Sequence, residues 1–504
     1  CRQAGRVMSV TLNQVRAGLF LDSVVLMQIS RSLASVEGVE DAALMMATPA
    51  NLDILSDAGL LAATRPAAGP GDLLIAVRAG DPASAEAALA RAAERLEKPL
   101  VVAADGDSFR PRTLQGAARI CLEANLALIS VPGDFAGSEA HKALRAGLNV
   151  MIFSDNVPLE EEIALKREAR DRQLIVMGPD CGTAIIGGVP LAFANRVPRG
   201  DIAIVGASGT GIQEVSSLIA RNGGGISHAI GVGGRDLSEP VAGISTLTAL
   251  EWLESDASTA HVVILSKPPA DSVASQILET IASSSKTFTV CFLGARDLSL
   301  PANATLARTL KGAAADALGE QRAPVPFDSG QLARPVVGDR QRICGLFSGG
   351  SLSAEAQVVL IDRGHAVTSN APVPGAGAVS KDSAVHELID LGDDAYTRGR
   401  PHPMIDPAVR DEPLIAALAD PGVGVILLDV VIGYGAHADP AGHLAGLLEA
   451  HWRSGPLVVA SVTGTDADPQ GWSRQTSSLT RAGVLVAPSN ADAAALALAC
   501  LDAR

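Results

Sequence analysis

Two short glycine-rich runs, Gly206-Ala207-Ser208-Gly209-Thr210-Gly211 and Ser348-Gly349-Gly350-Ser351-Leu352-Ser353, are the parts of this sequence best suited to hold an anion. Each follows an apolar, strand-like run and opens a helical stretch. At such a turn small residues let backbone amides approach a phosphate, and the helix N-terminus adds a partial positive charge. Phosphate binding is therefore assigned to Ser208, Gly209, Thr210 and Gly211 on one side and to Gly349, Gly350, Ser351 and Leu352 on the other. Singly, either run is equally a tight structural turn, with Ser208 and Thr210 acting only as caps. Two in one chain allow two helix N-termini to meet on one anion, and the pairing predicts that they lie close together. The rival reading is two independent turns in two separate sheets.

The most polar stretch is 390–407, where Asp393, Asp394, Arg398, Arg400, His402 and Asp406 are interspersed with glycine and with Pro401, Pro403 and Pro407. Prolines stiffen a loop, and stiffness suits a bidentate arginine clamp on a carboxylate or phosphate. Arg400 and His402 are expected to orient substrate there; the alternative is a solvated loop against a sheet edge. Stretches 178–183, 433–440 and 463–466 follow apolar runs, where ligands bind in α/β sheets. They supply Asp180, Cys181, Thr465 and Asp466 as substrate contacts, and His437 as a general acid, a phosphate carrier or a plain loop histidine. Cys181 is either a nucleophile or, having no evident base beside it, a small packing residue. Lys267, ahead of Pro268 and Pro269, is a ligand contact or merely exposed. No residues have metal-ligand spacing.

Elements that could position these groups follow from the apolar pattern. A chain of 504 residues is expected to form about three or four domains, since single cores stop growing near 250–300 residues. Residues 11–97 read as a small α+β module, with strands at 18–21, 42–46 and 73–77, a helix over 23–35 and another capped by Thr48 before Pro49. Residues 98–198 read as a Rossmann-like domain with strands at 100–103, 126–131, 150–153 and 174–177. A second doubly wound unit, 199–322, has strands at 202–205, 227–231, 262–265 and 287–292. Pro324, Pro326 and Pro335 mark a linker over 323–341, and 342–504 forms a further α/β domain with strands at 343–347, 423–431, 457–462 and 484–486.

Composition narrows the class. With 47% hydrophobic and 19% charged residues the chain is globular, and a formal charge of −15 disfavours nucleic acid and anionic membranes as partners. Six scattered cysteines suggest neither a zinc site nor a disulfide framework, and point to reduced thiols in a cytoplasm. No membrane-length apolar run is present, and residues 1–20 lack the layout of a signal peptide.

The segment 126–183, through Leu-Ile-Ser-Val-Pro-Gly at 128–133 and Met-Gly-Pro-Asp-Cys-Gly-Thr at 177–183, resembles the CoA-binding domain of the succinyl-CoA synthetase α subunit. Residues 206–214 and Ile-Gly-Val-Gly-Gly-Arg-Asp at 230–236 resemble its next domain, which brings in Arg235 as a substrate contact. The last domain is similar to the carboxyl-terminal domain of the β subunit, through 348–352, 429–440 and 462–466. The α-then-β order, with Asp-Ser-Val at 22–24 and Met-Ala-Thr-Pro-Ala-Asn at 46–51, resembles the FdrA family. The resemblance implies a Rossmann-like CoA-binding-type domain and two flavodoxin-like domains of synthetase type behind the amino-terminal module.

Departures from the synthetases shape the functional expectation. No segment resembles their ATP-grasp domain, so no ATP site is expected on this chain. No histidine lies between His261 and His365, so the phosphohistidine of the synthetases has no counterpart. CoA is offered by the resemblance, although Asp180 replaces the synthetase asparagine and the glycine-rich CoA turn has no clear counterpart at 103–108. The resemblance implies a cytoplasmic carbamoyltransferase subunit that uses carbamoyl phosphate and oxamate in allantoin degradation, within a hetero-oligomer. The alternatives are an acyl-CoA synthetase subunit that needs a nucleotide-binding partner, and a non-catalytic anion-binding scaffold.

Overall fold

The computed structural model describes residues 9–19, 21, 23–62, 67–97, 111, 113–296, 298–379, 385–397, 401–452 and 455–503. The chain divides into two compact units, one of Cys1–Leu148, Ser154–Pro158 and Thr397–Pro401, the other of Asn149–Phe153, Leu159–Tyr396 and His402–Arg504.

The first unit contains an antiparallel sheet of strands Val10–Arg16, Leu73–Ala79 and Val39–Met46, with Leu73–Ala79 in the middle. The middle strand is apolar throughout because both its faces are covered. Leu73, Ile75, Val77 and Ala79 share a core with Leu26, Ile29 and Leu33 of helix Ser23–Ala34 and with Ala85, Ala88 and Ala92 of helix Pro82–Glu97. Leu74 and Ala76 instead meet Leu55 of helix Pro49–Asp57. That helix starts as the sequence predicts: Thr48 caps it by accepting from the Asn51 amide at 3.3 Å, and Pro49 fills the first turn. The strand expected at 18–21 lies earlier, at Val10–Arg16, and Gly18 makes the turn that follows with φ +64°. The strand expected at 100–103 lies outside the described residues.

The second unit is an α/β structure built on two seven-stranded sheets. In the first, Ile202–Gly206 lies between parallel neighbours Ile226–Gly231 and His261–Ser266, and Thr287–Phe292 and Ala304–Leu306 extend the latter side. This is the flavodoxin-like strand order. The antiparallel hairpin Thr183–Ile186 and Val189–Ala192 extends the other edge, where Ile185 pairs with Ala229. In the second sheet, Arg342–Phe347 lies between His386–Asp390 and Val423–Val431. Strand His386–Asp390 stands between it and Val367–Ser369, where the simple flavodoxin order would have none.

Helices Gly209–Arg221, Leu310–Leu318, Gly350–Asp362 and Asn490–Asp502 join the two sheets in one hydrophobic core. Val425 and Leu427 point into this core, while Ile426 and Leu428 point into another on the far face. Burial on both faces explains why Val423–Val431 reads as a continuous apolar run. It also explains why Gly350–Asp362, buried from Ser351 through Leu360, has no polar face.

Candidate functional site

The two glycine turns meet. Ser208 caps helix Gly209–Arg221 by accepting from the Gly211 amide at 3.1 Å, and its hydroxyl also hydrogen bonds to that of Ser351 in the first turn of helix Gly350–Asp362. A Cβ built on Gly349 would lie 3.0 Å from Thr210 Cβ and Oγ1, and one on Gly209 would lie 3.0 Å from Thr183 Oγ1. The glycines thus let the two backbones approach, as the paired motif predicts. Helix geometry leaves the first-turn amides of Gly209, Thr210, Ser351 and Leu352 without intrahelical acceptors.

Two carboxylates furnish the second turn. Asp429, fully buried in strand Val423–Val431, accepts from the amides of Ser348 at 2.7 Å and Gly349 at 2.8 Å. Arg410, only 4% exposed, donates from Nη1 to the Asp429 carbonyl at 2.7 Å and from Nη2 to its carboxylate at 2.5 Å and to Ser348 Oγ. The Gly349 amide, assigned to phosphate from sequence, is therefore already occupied. Asp390 is the second acid, with Oδ2 just 2.5 Å from where a Gly350 Cβ would stand. Burial pushes its carboxyl up to about 6, helped by Asp393 and Asp429 and opposed by the Gly392 amide and Lys267.

Around this centre, His402 Nε2 lies 2.6 Å from a Cβ built on Gly392, and Asp390 Oδ1 lies 3.1 Å from the same point. His402 Nδ1 accepts from the Met404 amide at 3.2 Å, and burial holds the ring down to about 4, so it is neutral near pH 7. Lys267 is exposed at the end of strand His261–Ser266, close enough to Asp390 to act on its charge. Deeper between the helices, Glu214 accepts from Thr463 Oγ1 and the Asn490 amide, and Glu355 accepts from Asn490 Nδ2 and the Lys311 amide. Burial raises both carboxyls, that of Glu355 to about 8 with Glu214 adding to the effect.

The other sequence candidates are placed differently. Thr465 is buried, donating to the Arg196 carbonyl at 2.9 Å, and Asp466 accepts from the Ser473 amide and hydroxyl in the first turn of helix Trp472–Arg481. Cys181 is 3% exposed, its thiol directed to the Thr183 carbonyl and pushed up to about 12 by burial, so it is a packing group and not a thiolate. Arg235 pairs with Glu162 at 2.8 Å, beside the buried Lys166–Asp236 pair. Asp180 is exposed with φ +56°. His437 Nδ1 accepts from the Asp439 amide at 3.1 Å, which ties the ring to its own loop. Arg400 lies outside the described residues. Sequence reasoning missed Asp390, Arg410 and Asp429 as parts of the site. A lone acid in an apolar strand was the available signal for Asp429; Arg410, with no motif around it, gave none.

Comparison with known proteins assigns the class. The family described as CoA-ligase matches residues 346–500, and the family described as CoA binding domain matches 198–294. The second match lies carboxyl-terminal to the 126–183 segment whose motifs suggested CoA. The chain is thus an α/β protein that carries a CoA-ligase-type and a CoA-binding-type domain and resembles succinyl-CoA synthetase α-like proteins. It belongs to the family of YahF of Escherichia coli (strain K12), an uncharacterized protein, with 40% identity over 96% of this chain and 97% of that one.

A subunit named ADP-forming sulfoacetate-CoA ligase subunit SauD, from Bilophila wadsworthia, is 29% identical over 34% of this chain and 60% of its own length. Among solved structures, a dinucleotide-forming acetyl-coenzyme A synthetase from Ca. Korarchaeum cryptofilum, in complex with phosphate and ADP, aligns with TM-score 0.32 and 16% identity over 75% of this chain and 82% of its own.

Residues 8–109 match a family described as AllF, heavy metal-associated domain. They contain no cysteine and no histidine, so thiolate and imidazole ligands to a soft metal are missing from them. Among the described residues no cluster of three His, Cys, Asp or Glu could hold a metal ion, and no helix is long and apolar enough to cross a membrane. The glycines of the turn at 206–211 let the helix start pack closely on the sheet end, where a Cβ on Gly206, Gly209 or Gly211 would lie within about 3.0 Å of Ile212, Thr183 or Leu265 atoms, and such a turn suits a phosphate group.

Proposed function

We propose that this chain is the acyl-transfer subunit of a cytoplasmic, hetero-oligomeric enzyme of acyl-CoA-ligase type. It holds the phosphate of an acyl phosphate at the two helix N-termini while the acyl group passes to or from an acceptor. The observation that carries the reading is the contact of Ser208 with Ser351, which joins the two helix N-termini at one point. Amides of Gly209, Thr210, Ser351 and Leu352 would stabilise charge as it gathers on the departing phosphate. With no histidine between His261 and His365, an acyl phosphate would be used directly, and a separate chain would supply any nucleotide site. When bound, CoA supplies a thiol acceptor, and Arg235 is the group here that would meet its phosphates.

A narrower reading, that of an FdrA-type oxamate carbamoyltransferase, takes carbamoyl phosphate as the acyl phosphate and oxamate as the acceptor. Support comes from the AllF description of the match over 8–109 and from the missing histidine, since carbamoyl phosphate arrives already activated. Incubating the chain and its co-purified subunits with acetyl phosphate plus CoA, or carbamoyl phosphate plus oxamate, separates the two. Thioester formation supports the ligase reading, and oxamate-dependent release of phosphate from carbamoyl phosphate supports the transferase. Phosphate binding without either turnover rejects both and leaves an anion-binding scaffold.

A further inference from the structure

One carboxyl group at this site has no task in the reading above. Asp390 ends strand His386–Asp390 and is 8% exposed. Its backbone is pinned on both sides by Asn370, whose Oδ1 accepts from the Asp390 amide at 2.8 Å and whose Nδ2 donates to the Asp390 carbonyl at 2.9 Å. Oδ1 accepts from the Gly392 amide at 2.9 Å. Among the described residues Oδ2 has no hydrogen-bond partner, and it faces the first turn of helix Gly350–Asp362, at 2.5 Å from a Gly350 Cβ position. A nine-tenths-buried side chain thus aims an unfilled oxygen at the place where phosphate is to be held.

Two anions cannot share that place without a proton. Among the described residues the charged or titratable groups facing Asp390 are Lys267, Asp393, Asp429 and the ring of His402. Of these, Lys267 alone favours the carboxylate. Burial and the two aspartates oppose it, and His402 is neutral, so the carboxyl is held near 6 even with no anion present. An arriving phosphate dianion would raise it further.

We propose that Asp390 is the proton-carrying catalytic residue of the anion site, protonated while a phosphate group is held there and donating that proton as the phosphate departs. The inference rests on the phosphate site proposed above. As the acceptor bonds to the acyl carbon, the carbon–oxygen bond to phosphate breaks and its electron pair goes to the phosphate oxygen. The Asp390 proton moves to that oxygen to give monohydrogen phosphate, and the proton lost by the acceptor restores the acid. In reverse, the Asp390 carboxylate takes a proton from monohydrogen phosphate as it attacks.

Sulfate is the probe, because its charge is constant across neutral pH. Calorimetric titration of the full chain in two buffers of different ionisation enthalpy should show uptake of nearly one proton per sulfate. Affinity should fall by up to about tenfold per pH unit between about pH 6.5 and 8.5. Asp390→Asn should abolish the uptake and bind sulfate roughly tenfold more tightly at neutral pH, through loss of like-charge repulsion. In the transfer assay the same variant should lose about 10²–10⁴ in turnover. Sulfate binding to the wild-type chain without proton uptake overturns the inference and leaves the phosphate site standing, and that measurement needs no variant. Weaker sulfate binding by a folded Asp390→Asn chain also overturns it. If neither sulfate nor phosphate binds at any pH, the phosphate site itself is refuted.

Discussion

Replacing Arg410 by Met keeps most of the stem and removes the charge. The folded chain then loses the guanidinium bonds to the Asp429 carbonyl and carboxylate, at 2.7 and 2.5 Å, and the bond to Ser348 Oγ. Asp429 stays buried, still accepting from the Ser348 and Gly349 amides. Stranding a buried charge in this way costs about 3–5 kcal/mol, and the two surviving amide bonds place the expected loss near the lower figure. For a unit of this size about 1.4 °C is lost per kcal/mol, so the melting temperature should fall by about 4 °C. Removing the charge altogether in Arg410→Met/Asp429→Asn should recover part of that loss. Urea midpoints and differential scanning calorimetry on the three proteins measure it. Arg410→Met melting with the wild type, or a double variant no more stable than Arg410→Met, would refute the reasoning.

Other consequences can be checked separately. The folded pKa of Glu355, near 8, lies above its unfolded value, so its contribution to stability is full below about pH 4.5 and is lost as pH rises toward 8. Urea midpoints from acid to mildly alkaline pH should therefore fall less steeply for Glu355→Gln than for wild type, and parallel curves would contradict this. Ser208→Ala removes a cap and should cost about 0.5–2 kcal/mol while weakening phosphate binding; unchanged affinity in calorimetry would show the hydroxyl to be structural only. Iodoacetamide at neutral pH should label exposed Cys121 and spare Cys181 in the folded chain, as read by mass spectrometry, and rapid labelling of Cys181 would contradict its burial.

The strands were legible in sequence where burial on both faces leaves a mainly apolar run: 287–292 and 423–431 fall as read. Short strands were not, because Val367–Ser369 and Ala304–Leu306 are too brief for any periodicity. Hairpin Thr183–Ile186 and Val189–Ala192 was hidden behind a glycine-rich stretch that read as a ligand loop. For the site, glycine spacing conveyed the two helix starts, since close backbone approach demands small residues. It could not convey what fills the space beside them: Asp390, Asp429 and Arg410 arrive from separate strands and a distant turn. Isolated polar residues such as Thr465 and Asp466 misled in the opposite direction, because a polar side chain at a strand end serves a turn as readily as a ligand.

One anion held between the two helix N-termini is the arrangement on which the proposed chemistry depends. Crystals of the full chain soaked in tungstate, a heavy mimic of phosphate, would reveal it by anomalous scattering. A peak is expected within hydrogen-bonding reach of the amides of Gly209, Thr210, Ser351 and Leu352, beside Asp390. Tungstate bound only elsewhere on the molecule, with that point empty, would contradict it.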